Sequence, residues 1–352
     1  MCTLAAYIGT EQAAPILLRM MGNEIGFASG HYTGLATIHE GKLYYAKVCG
    51  DLDELLRRTD AMNLPGTVGI IHSRTPGIPS DEWAHPFIST HEEVAYVANG
   101  AAGMFEGTRD FASIYQRLTA AGDVFRTVTD DPNVSKSYPR IPDGRALHTS
   151  DLLCGMIAEN HLRKGMDLPA AMGAAYMEAP SEVVGLSVSV KEPDSVAACR
   201  ICMPLMWGRK NGAGYLATTA LAFVDEGLDN ISAVPSVSTV CMRRDGITYK
   251  PLGEPLSRMC IPMPWAKAIR ILDEKMADGK EHHIGELYGN LKSLWPEGTI
   301  QEAAMLTFQY AHEEVKAGRA QVVKSTVKAS LPGALAPRWF FKRSVPQEGR
   351  LV

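Results

Sequence analysis

No apolar run in this 352-residue chain approaches the ~18 residues that a membrane-spanning helix needs. The first residues, Met-Cys-Thr-Leu-Ala-Ala-Tyr, carry no basic stretch ahead of an apolar core, so no signal peptide is expected. Excess charge of one sign is missing too. With 35 basic and 39 acidic residues the formal net charge is −4, which argues against a nucleic-acid or membrane-surface binder. There is no low-complexity tract, no internal repeat, no phosphate-binding Walker loop and no Gly-x-Gly-x-x-Gly, so neither ATP nor a dinucleotide cofactor is expected. Cysteine is sparse and unpaired in pattern: seven residues, at positions 2, 49, 154, 199, 202, 241 and 260, form no disulfide framework. That usage implies a reducing, cytoplasmic compartment.

What is present is a large apolar fraction, 46%, enough to bury a substantial core. Thr3 to Ile8, Leu35 to Ile38, Leu43 to Val48, Val68 to Ile71 and Val94 to Ala98 read as strands. Val183 to Val190, Val196 to Met203, Ser238 to Arg243 and Ile247 to Tyr249 read likewise, the last two joined by a turn at Arg244-Asp245. Helical periodicity marks Gln12 to Met21, Leu52 to Thr59, Phe111 to Ala121 and Ser150 to Arg163. Thr127 to Arg145, with its Asp-Pro, Tyr-Pro and Ile-Pro steps, reads as a long loop. After about residue 255 the pattern turns helical over Trp265 to Ala277, His283 to Leu294 and Gln301 to Lys316, and the tail from Leu331 is Pro-rich and basic. Two units are expected on this basis: an α+β body over 2–254 and a helical extension over 255–352.

Cysteine directly after the initiator methionine is the first sign of chemistry. If Met1 is removed, Cys2 carries a thiol and an α-amine of pKa ~8 on adjacent atoms. The amine can then take the thiol proton and later deliver it to a leaving amine. The plain alternative is a small apolar residue at a strand edge. Further on stand Tyr32-Thr33-Gly34-Leu35-Ala36, Gly69-Ile70-Ile71-His72-Ser73-Arg74, Ala84-His85-Pro86-Phe87 and Val97-Ala98-Asn99-Gly100. Gly214 to Thr218 and Arg243 to Ile247 follow as closing strands. In order and approximate spacing, over residues 2 to 250, the chain resembles the class II glutamine amidotransferases.

The resemblance implies an αββα four-layer sandwich of the N-terminal-nucleophile hydrolases, followed here by the helical C-terminal appendage. It implies glutamine as substrate, Cys2 as the nucleophile that forms a thioester, and Asn99 with Gly100 as the oxyanion hole. It implies Arg74 as binder of the glutamine α-carboxylate, the adjoining Thr75 as a further substrate-binding residue, and Asp151 as binder of the α-amine. It implies no cofactor or metal. It also implies a synthase subunit as acceptor of the ammonia, with homo-oligomers possible. Each residue also has a plainer reading: Asn-Gly as a turn, Arg74 as an ion pair, and Asp151 as a helix cap. His72 and His85 read as structural.

The chain departs from the family at Thr3, at Ala98, in the length between Gly100 and Asp151, and at Thr75-Pro76-Gly77-Ile78-Pro79. The last of these keeps open an amidase acting on another, γ-glutamyl-type amide. A catalytically silent regulatory homologue is the other alternative. Cys199-Arg200-Ile201-Cys202 lies in a strand pattern with no second ligand pair and reads as structural, and His282-His283 reads as an exposed helix start.

Overall fold

The computed structural model describes residues 2–131, 134, 138–228 and 230–344. In chain order its strands are β1 (Thr3–Ile8), β2 (Tyr32–His39), β3 (Lys42–Val48), β4 (Val68–Arg74), β5 (Phe87–Ile88), β6 (Val94–Ala101), β7 (Val128–Thr129), β8 (Ala146–Leu147), β9 (Glu182–Ser189), β10 (Val196–Arg200), β11 (Met206–Lys210), β12 (Ala213–Ala217), β13 (Asn230–Ala233), β14 (Ser238–Arg243), β15 (Gly246–Pro251), β16 (Ala320–Lys328) and β17 (Leu335–Arg343). The α-helices are α1 (Ala13–Gly22), α2 (Ile25–Ala28), α3 (Leu52–Arg58), α4 (Phe111–Ala120), α5 (Thr149–Ala158), α6 (Leu168–Glu178), α7 (Trp265–Met276), α8 (Ile284–Gly289) and α9 (Ala303–Lys316).

Two antiparallel sheets follow from this order. The first runs β13-β11-β12-β1-β4-β2-β3 and the second β15-β14-β10-β9-β6-β5. Alternation along each strand sends one set of side chains between the sheets and the other set outward. Leu4, Ala6 and Ile8 of β1 and Ile70 of β4 pack inward against Val97 of β6, Leu186 of β9 and Ala198 of β10. The outward residues Ala5, Tyr7 and Ile71 meet α1 through Leu17 and Met20. On the far side, Tyr96 and Cys199 meet α5 and α6 through Leu153, Ile157 and Met172. The result is the four-layer αββα sandwich of the sequence reading.

The region after residue 255 joins this packing. Leu272, Leu287 and Phe308 belong to the same apolar cluster as Leu17 and Met20. Here the structure also differs from a purely helical extension, because β16 and β17 pair as a long antiparallel hairpin. The described part of the expected Pro-rich tail is strand. Trp339 and Phe341 alternate on one face and pack around Phe27, with ring centroids 5.1 and 4.9 Å away. A Cβ on Gly26 would stand 2.4 Å from the Trp339 ring, so the missing side chain lets the hairpin seat on α2.

Two smaller differences have equally local causes. Helix α6 lacks an amphipathic stripe because most of it is buried, so periodicity gives no signal. His282 is buried, with Nε2 2.8 Å from Asp278 and Nδ1 3.2 Å from Glu286, and its N–H donates to the Phe341 carbonyl. The neighbouring hairpin covers the position that the sequence reading left exposed. Among the described residues, no helix is long and apolar enough to cross a membrane.

Candidate functional site

The register of β1 against β4 builds the site. Thr3 lies opposite Ser73 and Leu4 opposite His72, so one step further sets Cys2 beside Arg74. Leu4 points between the sheets. By strand alternation Cys2, His72 and Arg74 therefore share that inner face. The apolar strand cores thus deliver three polar groups to one end of the sandwich. Cys2, Arg74, Thr75, Gly100, Tyr138, His148 and Ser150 line a cavity of about 270 Å³ there.

Cys2 is half-buried, with Sγ 3.9 Å from the Thr75 hydroxyl. Burial, the largest single influence, pushes its thiol up, while His72, by hydrogen bonding and by charge, and the charge of the N-terminal amine pull it down. The Thr75 backbone N–H adds to that pull, and the pKa settles at about 6. Cys154, Cys199 and Cys202 show the contrast, since burial alone raises each of them well above the usual thiol range or dominates its rise. Cys2 is therefore the described thiol with a local environment suited to nucleophilic attack.

Arg74 is buried and held from several sides. Its Nη1 donates to the Trp83 carbonyl at 2.6 Å and its Nη2 to the Tyr138 hydroxyl at 2.7 Å. The guanidinium also lies 4.8 Å from the Tyr32 ring and 5.9 Å from the Trp83 ring. Such a fixed fork suits a carboxylate.

Asn99 is fully buried and faces the first sheet. Its Nδ2 donates to Thr218 Oγ1 at 3.0 Å, while its Oδ1 has no partner among the described residues. A buried amide oxygen left unpaired costs ~1–3 kcal/mol. The Thr218 hydroxyl reaches the Leu4 carbonyl at 3.3 Å, which also accepts from the Thr218 backbone N–H at 2.9 Å. Asn99 Nδ2 is thus engaged with Thr218, and the residue is not among those lining the Cys2 cavity.

Gly100 lines the cavity with φ +123°, and a Cβ there would stand 2.1 Å from the Glu182 carbonyl. Only glycine fits this close crossing of β6 and β9.

Asp151, like Asn99, is an expected residue that does not line the Cys2 cavity. Although it opens α5, its carboxylate accepts from the Arg126 and Thr127 backbone N–H groups at 3.1 and 3.2 Å. It also accepts from the Thr127 hydroxyl at 2.8 Å, and it lines a different, smaller cavity beside Lys47. The residues of that helix start that reach the Cys2 cavity are His148, Thr149 and Ser150. The side-chain direction at a helix N-terminus is set by packing, which the sequence does not display.

Two groups escaped the sequence reading. Tyr138 comes from the long loop and contacts Arg74. His72 adjoins the nucleophile, and its position two residues before Arg74 on a buried strand was the available signal. His72 and His85 stack with ring centroids 3.9 Å apart. Burial holds His85 and His148 far below the ordinary imidazole range, so both are neutral. Among the described residues no cluster of histidine, cysteine and carboxylate side chains could hold a metal ion. The expected removal of Met1 concerns a residue outside the described ones.

No family model matches the chain. Curated relatives do. Glutamine–fructose-6-phosphate aminotransferase (isomerizing) of Thermosynechococcus vestitus is 33% identical over 226 residues, covering 64% of this chain and 32% of that protein. The enzyme of the same name from Pyrococcus horikoshii is 26% identical over 226 residues, 64% of this chain and 33% of that one. The chain thus spans about a third of the length of these relatives. Among solved structures, glutamine phosphoribosylpyrophosphate amidotransferase from B. subtilis aligns with a TM-score of 0.57 at 16% identity. The alignment covers 80% of this chain and 60% of that one, a likeness of fold. Sequence relatives and fold agree: over about two thirds of its length the chain is similar to glutamine-dependent aminotransferases, and it carries the N-terminal-nucleophile fold of the class II glutamine amidotransferases.

Proposed function

We propose that this chain hydrolyses the side-chain amide of glutamine to glutamate and ammonia through a thioester on Cys2. The observation that carries this reading is the meeting, in one cavity, of a thiol at a pKa of about 6 with Arg74 and Gly100. At neutral pH the sulfur is mostly thiolate and can attack the amide carbon. Arg74 holds the substrate carboxylate, Thr75 steadies the sulfur, and the Gly100 N–H receives the developing oxyanion. The ammonia serves a synthase partner, a reading supported by the printed names of the relatives, which join glutamine to an amino acceptor.

The test is ammonia release from glutamine by the purified chain, compared with Cys2→Ala. Activity should be lost with Cys2→Ala, by at least a thousandfold. Equal ammonia release by the two proteins would overturn the assignment.

A second reading has its own support. Asp151, the expected ligand of the α-amine, turns away from the cavity, and Tyr138 sits on Arg74. An amide acid without a free α-amine, such as an acylated glutamine, fits these observations. Parallel assays with glutamine and N-acetylglutamine separate the two, since the reading requires the acylated amide to be turned over at least as fast.

A further inference from the structure

The segment Thr75-Pro76-Gly77-Ile78-Pro79 borders the Cys2 cavity through Thr75 and Pro76. Its prolines carry no N–H, so few backbone donors are left by which it can be held. Gly77 passes so close to Arg74 that a Cβ there would stand 2.8 Å from Nη2 and 3.2 Å from the Tyr32 hydroxyl. That hydroxyl in turn donates to the Ile78 carbonyl. A second hold comes from the far end of the chain. The β16–β17 hairpin, fixed in place by Trp339 and Phe341 against Phe27, turns at its tip with the Ala329 N–H donating to the Ala334 carbonyl at 2.9 Å. Within that tip, Ser330 Oγ accepts from the Gly77 N–H at 3.3 Å, across 253 residues of sequence.

The same oxygen lies 3.3 Å from His31 Nδ1. A hydroxyl accepts and donates at once, so one side chain serves both partners. Burial, and then the charge of Arg338, hold His31 down at about 4, so its ring is neutral at neutral pH and can accept. His31 is buried, and its backbone N–H donates to the Arg74 carbonyl at 3.0 Å. Leu331, next along the tip, packs on the cluster of Tyr32, Cys49 and Trp83, which Ile78 and Tyr138 also join. Tyr32, Trp83 and Tyr138 are the residues that hold the Arg74 guanidinium.

We propose that Ser330 is a positioning residue for the amide substrate: its hydroxyl ties Gly77 to His31 and so holds the 75–79 segment against Arg74. This rests on the amide hydrolysis proposed above. Ser330 does not line the Cys2 cavity, so it acts through Gly77 and Arg74. Its loss loosens the grip on the substrate carboxylate and leaves the chemistry at Cys2 in place. The C-terminal extension is thereby part of the substrate site as well as of the scaffold.

The experiment compares the full chain with Ser330→Ala and Ser330→Thr. Hydrogen exchange, read by mass spectrometry on the peptide spanning residues 74–80, reports on the Gly77 N–H without turnover. One amide of that peptide should exchange about fivefold faster in Ser330→Ala, the factor expected for one hydrogen bond. Ser330→Thr, which keeps the hydroxyl, should match the unaltered chain. Steady-state kinetics with glutamine and N-acetylglutamine form the second arm. Ser330→Ala should raise the KM of the hydrolysed amide by about two- to fivefold with kcat nearly unchanged, and Ser330→Thr should restore it. A purely structural serine would lower the melting temperature without that KM change or its rescue. If the unaltered chain turns over neither amide, the proposed hydrolysis fails, and the exchange arm still decides the anchor. Unchanged exchange in folded Ser330→Ala, or faster exchange with an unchanged KM, would overturn the proposal.

Discussion

Arg74 Nη2 donates to the Tyr138 hydroxyl at 2.7 Å, so the group expected to hold a substrate carboxylate already has a neutral partner. A carboxylate entering the cavity must displace or share that hydroxyl. A hydrogen bond to a charged group is worth ~1.5–3 kcal/mol against water. Tyr138→Phe should therefore lower the KM for the amide substrate by about tenfold or more and leave kcat nearly unchanged. Steady-state kinetics decide it. A KM that rises instead means that the hydroxyl belongs to the carboxylate clamp.

Asp151 spends its carboxylate on Arg126 and Thr127. Asp151→Asn should cost about 1–2 kcal/mol of stability from the weakened acceptor, with the KM for glutamine within twofold of the unaltered chain. Thermal unfolding and kinetics on the same preparations measure both. A KM raised a hundredfold would restore Asp151 to the α-amine.

Gly100 has no room for a methyl group, and its φ of +123° strains any other residue. Gly100→Ala should lose roughly 2–4 kcal/mol and most of the ammonia release, because β6 must part from β9 beside the oxyanion donor. Unchanged melting and activity would show that the crossing relaxes freely.

Glu24 is fully buried, with Oε2 accepting from the Thr219 N–H at 3.3 Å and Oε1 without a partner among the described residues. Burial raises its pKa well above the carboxylate range. The unfolded chain ionises this group near pH ~4.3 while the folded chain holds the proton, so folding binds more protons than unfolding. Its contribution to stability is therefore greatest below that pH and declines as pH rises. Glu24→Gln should be the more stable protein at pH 7, by on the order of 1 kcal/mol or more, with the difference vanishing near pH 4. Melting temperatures of the pair at the two pH values test the sign. A less stable Glu24→Gln at pH 7 would mean an ionised, engaged carboxylate.

The Cys2 thiol titrates at about 6, below its ordinary value, so the reactive thiolate is present above that pH and lost as pH falls through it. The kcat/KM for amide hydrolysis should show an acidic limb centred near pH 6, declining tenfold per unit below it. A limb near pH 8 would mean that the His72 environment does not act on the nucleophile.

Much of the scaffold was legible because it rests on short-range pattern. The continuous apolar runs of Thr3 to Ile8, Val68 to Ile71 and Val94 to Ala98 declare buried strands without any knowledge of their partners. The Gln12 to Met21 stripe declares a helix against a sheet. The hairpin of β16 and β17 escaped because Pro337 and the surrounding basic residues look like a tail. Its Trp339 and Phe341 acquire a buried face only when Phe27 and Gly26 are beside them.

The order of residue types along the chain carried the family resemblance and the candidacy of Cys2, Arg74 and the Asn99-Gly100 pair. These depend on local chemistry and on motif order, which a linear string preserves. Which groups actually meet was decided only in three dimensions. Strand register placed His72 next to Cys2, a loop more than sixty residues away along the chain supplied Tyr138 to Arg74, and packing at the start of α5 turned Asp151 toward Thr127. The reason is physical: a side chain's proton affinity and its partners are properties of its surroundings, and those are assembled by contacts distant in sequence.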